Sequence, residues 1–279
     1  MIIDISHQLH LALSAGVART TAHVLLTPLS GPSQTILEWA IEMPGIETAA
    51  RLTDAYGNRA LLVTQARPGD ELTITVTGRV ETHDRNGVLG RIPGEPVVAL
   101  YRRATALTAA DPRLVDAFRD ADRSGTARIA LLHAVMGRLG ELYRFDGEAA
   151  PAGAAQAQTA DGQSQSVGAA GGDDRPAADA APFAHGFVGA VRWLGIPARY
   201  VSGYLAGDSE RPARFHAWAE AYDDGLGWIG FDAALNLCPT DRHVRVAVGL
   251  DGQTTMPLRV VPQPGPATET VAAVATAAQ

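Results

Sequence analysis

The chain contains no lysine; its cationic side chains, histidine aside, are all arginine. It therefore has no side-chain amine of its own to donate in an amide exchange. Cysteine is almost as scarce. One thiol, Cys238, excludes an intramolecular disulfide framework and a multi-cysteine metal site. No apolar run approaches the roughly 20 residues that a bilayer-spanning helix needs. The start, Met1-Ile2-Ile3-Asp4, lacks the basic and long apolar regions of a secretory signal. Positive charge is also short. A net charge of -7 and a pI near 5.6 argue against a nucleic-acid partner, which would require a clustered basic face. The expectation is a cytoplasmic protein with no nucleic-acid partner, no membrane association, no metal and no cofactor. With 279 residues, 46% of them hydrophobic, it can bury one large core or two ordinary ones.

Residues 1–105 read as β-rich. Leu72 to Thr77 alternate apolar and β-branched polar residues, and the pattern runs on through Val80 and Thr82. Ile2 to Leu13, His23 to Leu29 and Ile36 to Met43 are further candidate strands. Turn signals separate them, among them Ser30-Gly31-Pro32, Pro44-Gly45 and Arg67-Pro68-Gly69-Asp70. Short strands punctuated in this way predict a β-sandwich-like domain.

From Thr108 the period becomes helical. Thr108 is placed to cap a helix through Leu114, Val115 and Phe118, with Pro112 in its first turn. A second helix fits Ile129, Leu132, Val135, Met136, Leu139 and Leu142. Residues 149–181 are then mainly alanine, glycine, glutamine, serine, aspartate and proline, with Val167 the one larger apolar side chain. Such a segment buries too little surface to offset its ordering entropy, and it reads as a disordered insertion. Order resumes at Pro182. Phe183, Phe187, Val191 and Leu194 share a helical face, and Gly195 with Pro197 ends it. Strands are expected at Tyr200 to Leu205, His216 to Tyr222, Trp228 to Asp232 and His243 to Gly249, with a possible last strand from Glu269. The expected division is a β domain over 1–105, an α+β core over 106–262 and a tail over 263–279.

Asp223-Asp224-Gly225-Leu226-Gly227 makes a hairpin loop between two of those strands. A turn centred near Gly225 puts Asp232 within about one residue of the position opposite His216. A carboxylate so placed accepts one imidazole proton, fixes the tautomer and stabilises the imidazolium. A histidine beside a carboxylate is more often a structural pair than a catalytic one, so spacing alone decides nothing.

The surrounding stretches do more. They include Phe183-Ala184-His185, Leu194-Gly195-Ile196-Pro197-Ala198-Arg199-Tyr200-Val201-Ser202-Gly203-Tyr204, His216-Ala217-Trp218-Ala219-Glu220 and Gly227-Trp228-Ile229-Gly230-Phe231-Asp232. Cys238-Pro239-Thr240-Asp241-Arg242-His243-Val244-Arg245-Val246-Ala247-Val248-Gly249-Leu250-Asp251 and, upstream, Leu26-Thr27-Pro28, Asp54-Ala55-Tyr56-Gly57-Asn58 and Val80-Glu81-Thr82 belong with them. Together these resemble the bacterial transglutaminase-like family over nearly the whole chain outside the low-complexity segment.

The resemblance implies a β domain ahead of a papain-like α+β core. It also implies a cysteine nucleophile at the start of the central helix, a histidine base in His-Ala-Trp and an orienting aspartate in Gly-Phe-Asp. His216 and Asp232 match the last two. The nucleophile aligns with Ala180, inside Ala178-Asp179-Ala180-Ala181-Pro182. A helix dipole and a neighbouring imidazolium activate a thiol at that place, whereas a methyl group offers no lone pair. Losing the nucleophile of such a unit costs on the order of 10^6-fold in rate. Cys238 reads as structural, Ser164 and Ser166 are not positioned by any feature, and Asp179 is a minor candidate for activating water. Trp218, Trp228 and His185 are candidate cleft residues. The leading expectation is a protein that binds a peptide or protein ligand, or acts as a scaffold, without turning a substrate over. The alternative is a peptidase or amide-transferase with an unconventional nucleophile. The resemblance further implies partners of the ATP-grasp, peptide-ligase type.

Overall fold

The computed structural model describes residues 1–122, 125–147, 175–209 and 211–276. Strands and helices are numbered in chain order. In β1 (Ile2–Ala12) the period of two turns Ile3, Ile5, His7, Leu9 and Leu11 inward. Its neighbour β6 (Glu71–Thr82) does the same with Leu72, Ile74, Val76 and Val80. β15 (Ala267–Thr276), β1, β6 and β3 (Gln34–Glu42) form one antiparallel sheet in that order. β14 (Leu258–Val261), β2 (Arg19–Thr27), β5 (Arg59–Ala66) and β4 (Ala50–Thr53) form a second. Leu9, Leu11, Ile74 and Val76 of the first sheet share a core with Val24, Leu26, Leu61 and Val63 of the second. Each fully buried aliphatic side chain of this kind contributes roughly 1.5–3 kcal/mol. The expected sandwich is present.

A third sheet, in the order β13 (His243–Gly249), β10 (Ala198–Leu205), β11 (Arg214–Asp223), β12 (Gly227–Phe231) and β7 (Val88–Gly90), is antiparallel throughout. Its Ala217, Ala219, Ala221, Ile229 and Phe231 pack with Phe183, Phe187, Val188 and Val191 of α3 (Ala180–Trp193). Small residues on that face of the sheet let the helix lie close. α2 (Gly125–Leu142) adds Leu132, Val135, Met136 and Leu139 to the same core. The whole is α+β, a β-sandwich joined to a second core of one sheet and its helices.

Strand pairing crosses the expected borders at 105 and 262. β7 lies in the N-terminal segment yet pairs with β12, while β14 and the tail strand β15 return to the sandwich. Tyr204, Phe215 and Val244 of the third sheet also pack into the sandwich core, so the two cores meet there.

Two local expectations are corrected. The short helix α1 (Pro112–Val115) is capped by Asp111, whose carboxylate accepts from the Arg113 N–H, and not by Thr108. Thr108 closes its own turn with Thr105 and receives the Arg192 guanidinium. The low-complexity segment, expected to be disordered as far as 181, is ordered at its end. β9 (Ala177–Ala178) pairs in parallel with β8 (Arg144–Phe145), and Asp179 caps α3 through the Ala181 N–H at 3.0 Å. Backbone pairing and a side-chain cap supply order there that composition does not reveal. Residues 148–174, including Ser164 and Ser166, lie outside the described residues.

Candidate active site

The β11–β12 hairpin is turned by Asp223, whose carboxylate accepts the N–H groups of Gly225 and Leu226, and by Gly227 at φ +77°. Its register pairs Ala219 with Phe231. One step further sets Asp232 beside Trp218, two residues from the His216 level, so the expected near-opposite pairing is replaced by a diagonal one. Diagonal neighbours on one face stay within reach of long side chains. His216 Nε2 donates to Asp232 Oδ2 at 2.7 Å, with both side chains fully buried.

Asp232 is held from every side. Its Oδ1 accepts the N–H groups of Ala234 and Leu235 at 3.1 and 3.2 Å, in a turn closed by the Asp232–Leu237 bridge. Its Oδ2 lies 3.1 Å from His243 Nε2 as well as 2.7 Å from His216. Burial pushes this carboxyl up, but the electrostatic attraction and hydrogen bonds of His216 and His243 outweigh it and hold Asp232 well below the usual carboxylate range. The carboxylate is ionised, so the proton between it and His216 sits on Nε2. His216 Nδ1, buried, is left without a hydrogen-bond partner among the described residues.

Ala180 opens α3 immediately after its Asp179 cap. Phe145 ties that end of the helix to the imidazole. Its ring meets Phe183, one turn into α3, edge-on at 6.2 Å, and meets His216 at 6.3 Å. Phe145 also pairs with Ala178, two residues ahead of Ala180. Cys238 and Asp179, the other candidates among the described residues, each have a structural role. Burial pushes the Cys238 thiol up, and its side chain packs against Gly87, where an added Cβ would come within 2.8 Å of the Cys238 Cβ. One carboxylate oxygen of Asp179 is engaged in capping the helix.

The other candidates have packing duties. Trp228 is buried with the Arg199 guanidinium over its face, and Tyr101 and Tyr222 meet it edge-on. His185 stacks on Tyr200 at 4.7 Å and accepts the Gly252 N–H at 2.9 Å. Trp218 stacks beside His216 at 6.3 Å and meets His243 edge-on at 5.3 Å, which makes it the wall of the dyad. Trp218 and His243 also line a small cleft with Arg85, Thr240 and Arg245.

Ligand atoms of His216, Asp232 and His243 lie within 4.8 Å of one another, a spacing open to a metal ion. The donor set does not fit one. The Thr240 N–H donates to His243 Nδ1 at 3.1 Å, which places the ring proton on Nε2, the atom a metal would need bare.

Two family models match the sequence. The bacterial transglutaminase-like N-terminal region covers residues 3–81, and the transglutaminase-like superfamily core covers 154–233. Together they take in more than half of the chain. The protein belongs to the transglutaminase-like superfamily. An uncharacterized protein of Mycobacterium leprae is 26% identical over 248 residues, covering 84% of this chain and 83% of its own. The crystal structure of a Cytophaga hutchinsonii protein, provisionally named a cysteine protease, superposes with a TM-score of 0.69 at 20% identity. That match covers all of this chain and 92% of the other. This second likeness speaks for the fold. Among the described residues no helix of this transglutaminase-like chain is long and apolar enough to cross a membrane.

One member of the constellation escapes a reading by motif. His243 lies in one of the matched stretches and opens a strand, without a site role assigned to it, yet it is the second donor to Asp232. The available signal was a histidine opening a mostly apolar, buried run broken by Arg245, His243-Val244-Arg245-Val246-Ala247-Val248.

Proposed function

We propose that this transglutaminase-like chain binds a peptide or amide-bearing ligand, or serves as a scaffold, without covalent turnover. The supporting observation is the pairing of an intact His216–Asp232 dyad with an alanine at the head of α3, where the resemblance places the cysteine. The base keeps its orienting carboxylate and an unpartnered acceptor at Nδ1. Ala180 supplies no atom whose proton that base could take. A ligand suited to Nδ1 brings a neutral N–H or O–H donor, such as a backbone amide or carboxamide. An anion is disfavoured because Asp179 already sits at the helix N-terminus. A cytoplasmic location and a partner of the ATP-grasp, peptide-ligase type complete the proposal.

Restoring the thiol tests it. In a Cys238→Ala background, Ala180→Cys is expected to react with iodoacetamide at pH 7 at least about tenfold faster than an ordinary exposed thiol. His216→Ala should abolish that advantage. The unmodified chain should release no ammonia from an N-blocked glutaminyl-glycine dipeptide supplied with hydroxylamine. Ammonia release by the unmodified chain that disappears in His216→Ala would overturn the proposal in favour of an unconventional nucleophile.

A further inference from the structure

We propose that His243 is a positioning residue for the His216–Asp232 pair, acting as a fixed second donor to the same carboxylate oxygen. Three hydrogen bonds set the polarity. The Thr240 N–H donates to His243 Nδ1 at 3.1 Å, so that nitrogen carries no proton. Its Nε2 therefore donates to Asp232 Oδ2 at 3.1 Å, beside the His216 Nε2–H at 2.7 Å. Oδ1 is meanwhile taken by the Ala234 and Leu235 N–H groups. Asp232 thus accepts four hydrogen bonds, which fix its plane and divide its charge between two imidazoles.

The arrangement is closed to alternatives. Trp218 lies edge-on to His243 at 5.3 Å and stacks beside His216 at 6.3 Å, so one indole borders both rings. His243 is 3% exposed at its side chain and Asp232 not at all, so water does not compete for Oδ2. Arg214 is the other charge acting near the carboxylate. Its guanidinium donates to the Gly147 carbonyl and lies over Phe145, making no ion pair with Asp232 among the described residues. His243 is therefore the group that tempers how strongly Asp232 holds a proton on His216. Without it, Oδ2 would have His216 as its one donor, and an imidazolium there would be held more tightly.

The inference rests on the reading that His216 is a base kept in position, but its test reads ring protons and not turnover. The measurement is the pH profile of the His216 ring resonances by NMR in the whole chain. His243→Leu should move the His216 profile up by about one pH unit, a tenfold change in proton affinity. His243→Gln should leave it in place, because an amide can accept from Thr240 and donate to Asp232 as the imidazole does. A profile unmoved in His243→Leu, or moved equally in both variants, would overturn the inference. Should His243→Leu fail to fold, the unmodified protein still decides. The nitrogen spectrum of His243 should show a protonated Nε2 and a bare Nδ1, and a proton found on Nδ1 rules out the proposed polarity. Failure of the thiol experiment at position 180 would leave this arrangement standing.

Discussion

The Arg199 guanidinium carbon lies 3.9 Å from the ring centre of Trp228. Both are fully or nearly fully buried, and the cation is balanced by two carboxylates. Arg199 Nε donates to Glu220 at 2.6 Å, and Nη1 lies 2.9 Å from Glu95. Arg245 adds a second cation to Glu220 at 3.0 Å. Three of the stretches that carry the family resemblance therefore meet in one ion network on the face of the third sheet away from α3. Glu95 brings the segment after β7 into it.

A buried network of this kind is costly to break by halves. Glu220→Gln leaves Arg199 and Arg245 facing a single carboxylate, and the expected destabilisation is about 3–5 kcal/mol. Urea unfolding monitored by circular dichroism measures it. A loss below about 1 kcal/mol would mean that water or neighbouring dipoles already compensate these charges.

His185 gives the protein a predictable acid sensitivity. Burial lowers its pKa from 6.5 to about 4, and it accepts the Gly252 N–H in its neutral form. Between those two values the unfolded chain binds a proton that the folded chain refuses, so stability rises with pH across this window. Acidifying from pH 6.5 to 4 should cost roughly 3 kcal/mol from this residue. Asp232 is shifted in the same direction, as a carboxyl held ionised. Its contribution is present above its unfolded value near 3.8 and is lost only below it. The two effects therefore occupy separate windows. His185→Gln, which keeps an acceptor for Gly252, should flatten the slope between pH 6.5 and 4 in guanidine titrations. A slope unchanged in that variant would assign the sensitivity to another group.

How far the sequence was legible depended on whether a feature is local. The alternation in β1 and β6, the stop at Gly195 and the Asp223–Gly227 turn are short-range effects, and each matches the structure to within a few residues. The members of the dyad were legible as motif residues, but their diagonal register was not, because Asp232 leaves the strand before reaching the His216 level. β7 and β14 were not anticipated, since three- and four-residue strands exist through partners far along the chain. His243 belongs to the same class. Its role is set by Thr240 on one side and Asp232 on the other, and no spacing within its own strand encodes that.

His7 was missed for the opposite reason, since the alternation Ile3, Ile5, His7, Leu9, Leu11 put it plainly at an inward position. An imidazole there needs polar surroundings, and two distant strands supply a hydrogen bond to one ring nitrogen and a carboxylate beside the other. Its Nε2 lies 2.8 Å from Glu269 on β15, and its Nδ1 lies 2.9 Å from the Tyr204 hydroxyl on β10. The tail strand is thereby fastened through the sandwich to the sheet that carries His216. Glu269→Ala removes the carboxylate that lies against the buried His7 Nε2, with an expected cost of about 1–3 kcal/mol. The loss should be concentrated at the edge of the sheet, because β15 has β1 as its strand partner. Amide hydrogen exchange locates it. Protection should fall first at Val271 to Ala275 in β15, while the amides of β10 and β11 keep theirs. Uniform loss across all three sheets would show that Glu269 supports the whole fold and does not act as a fastening for the tail.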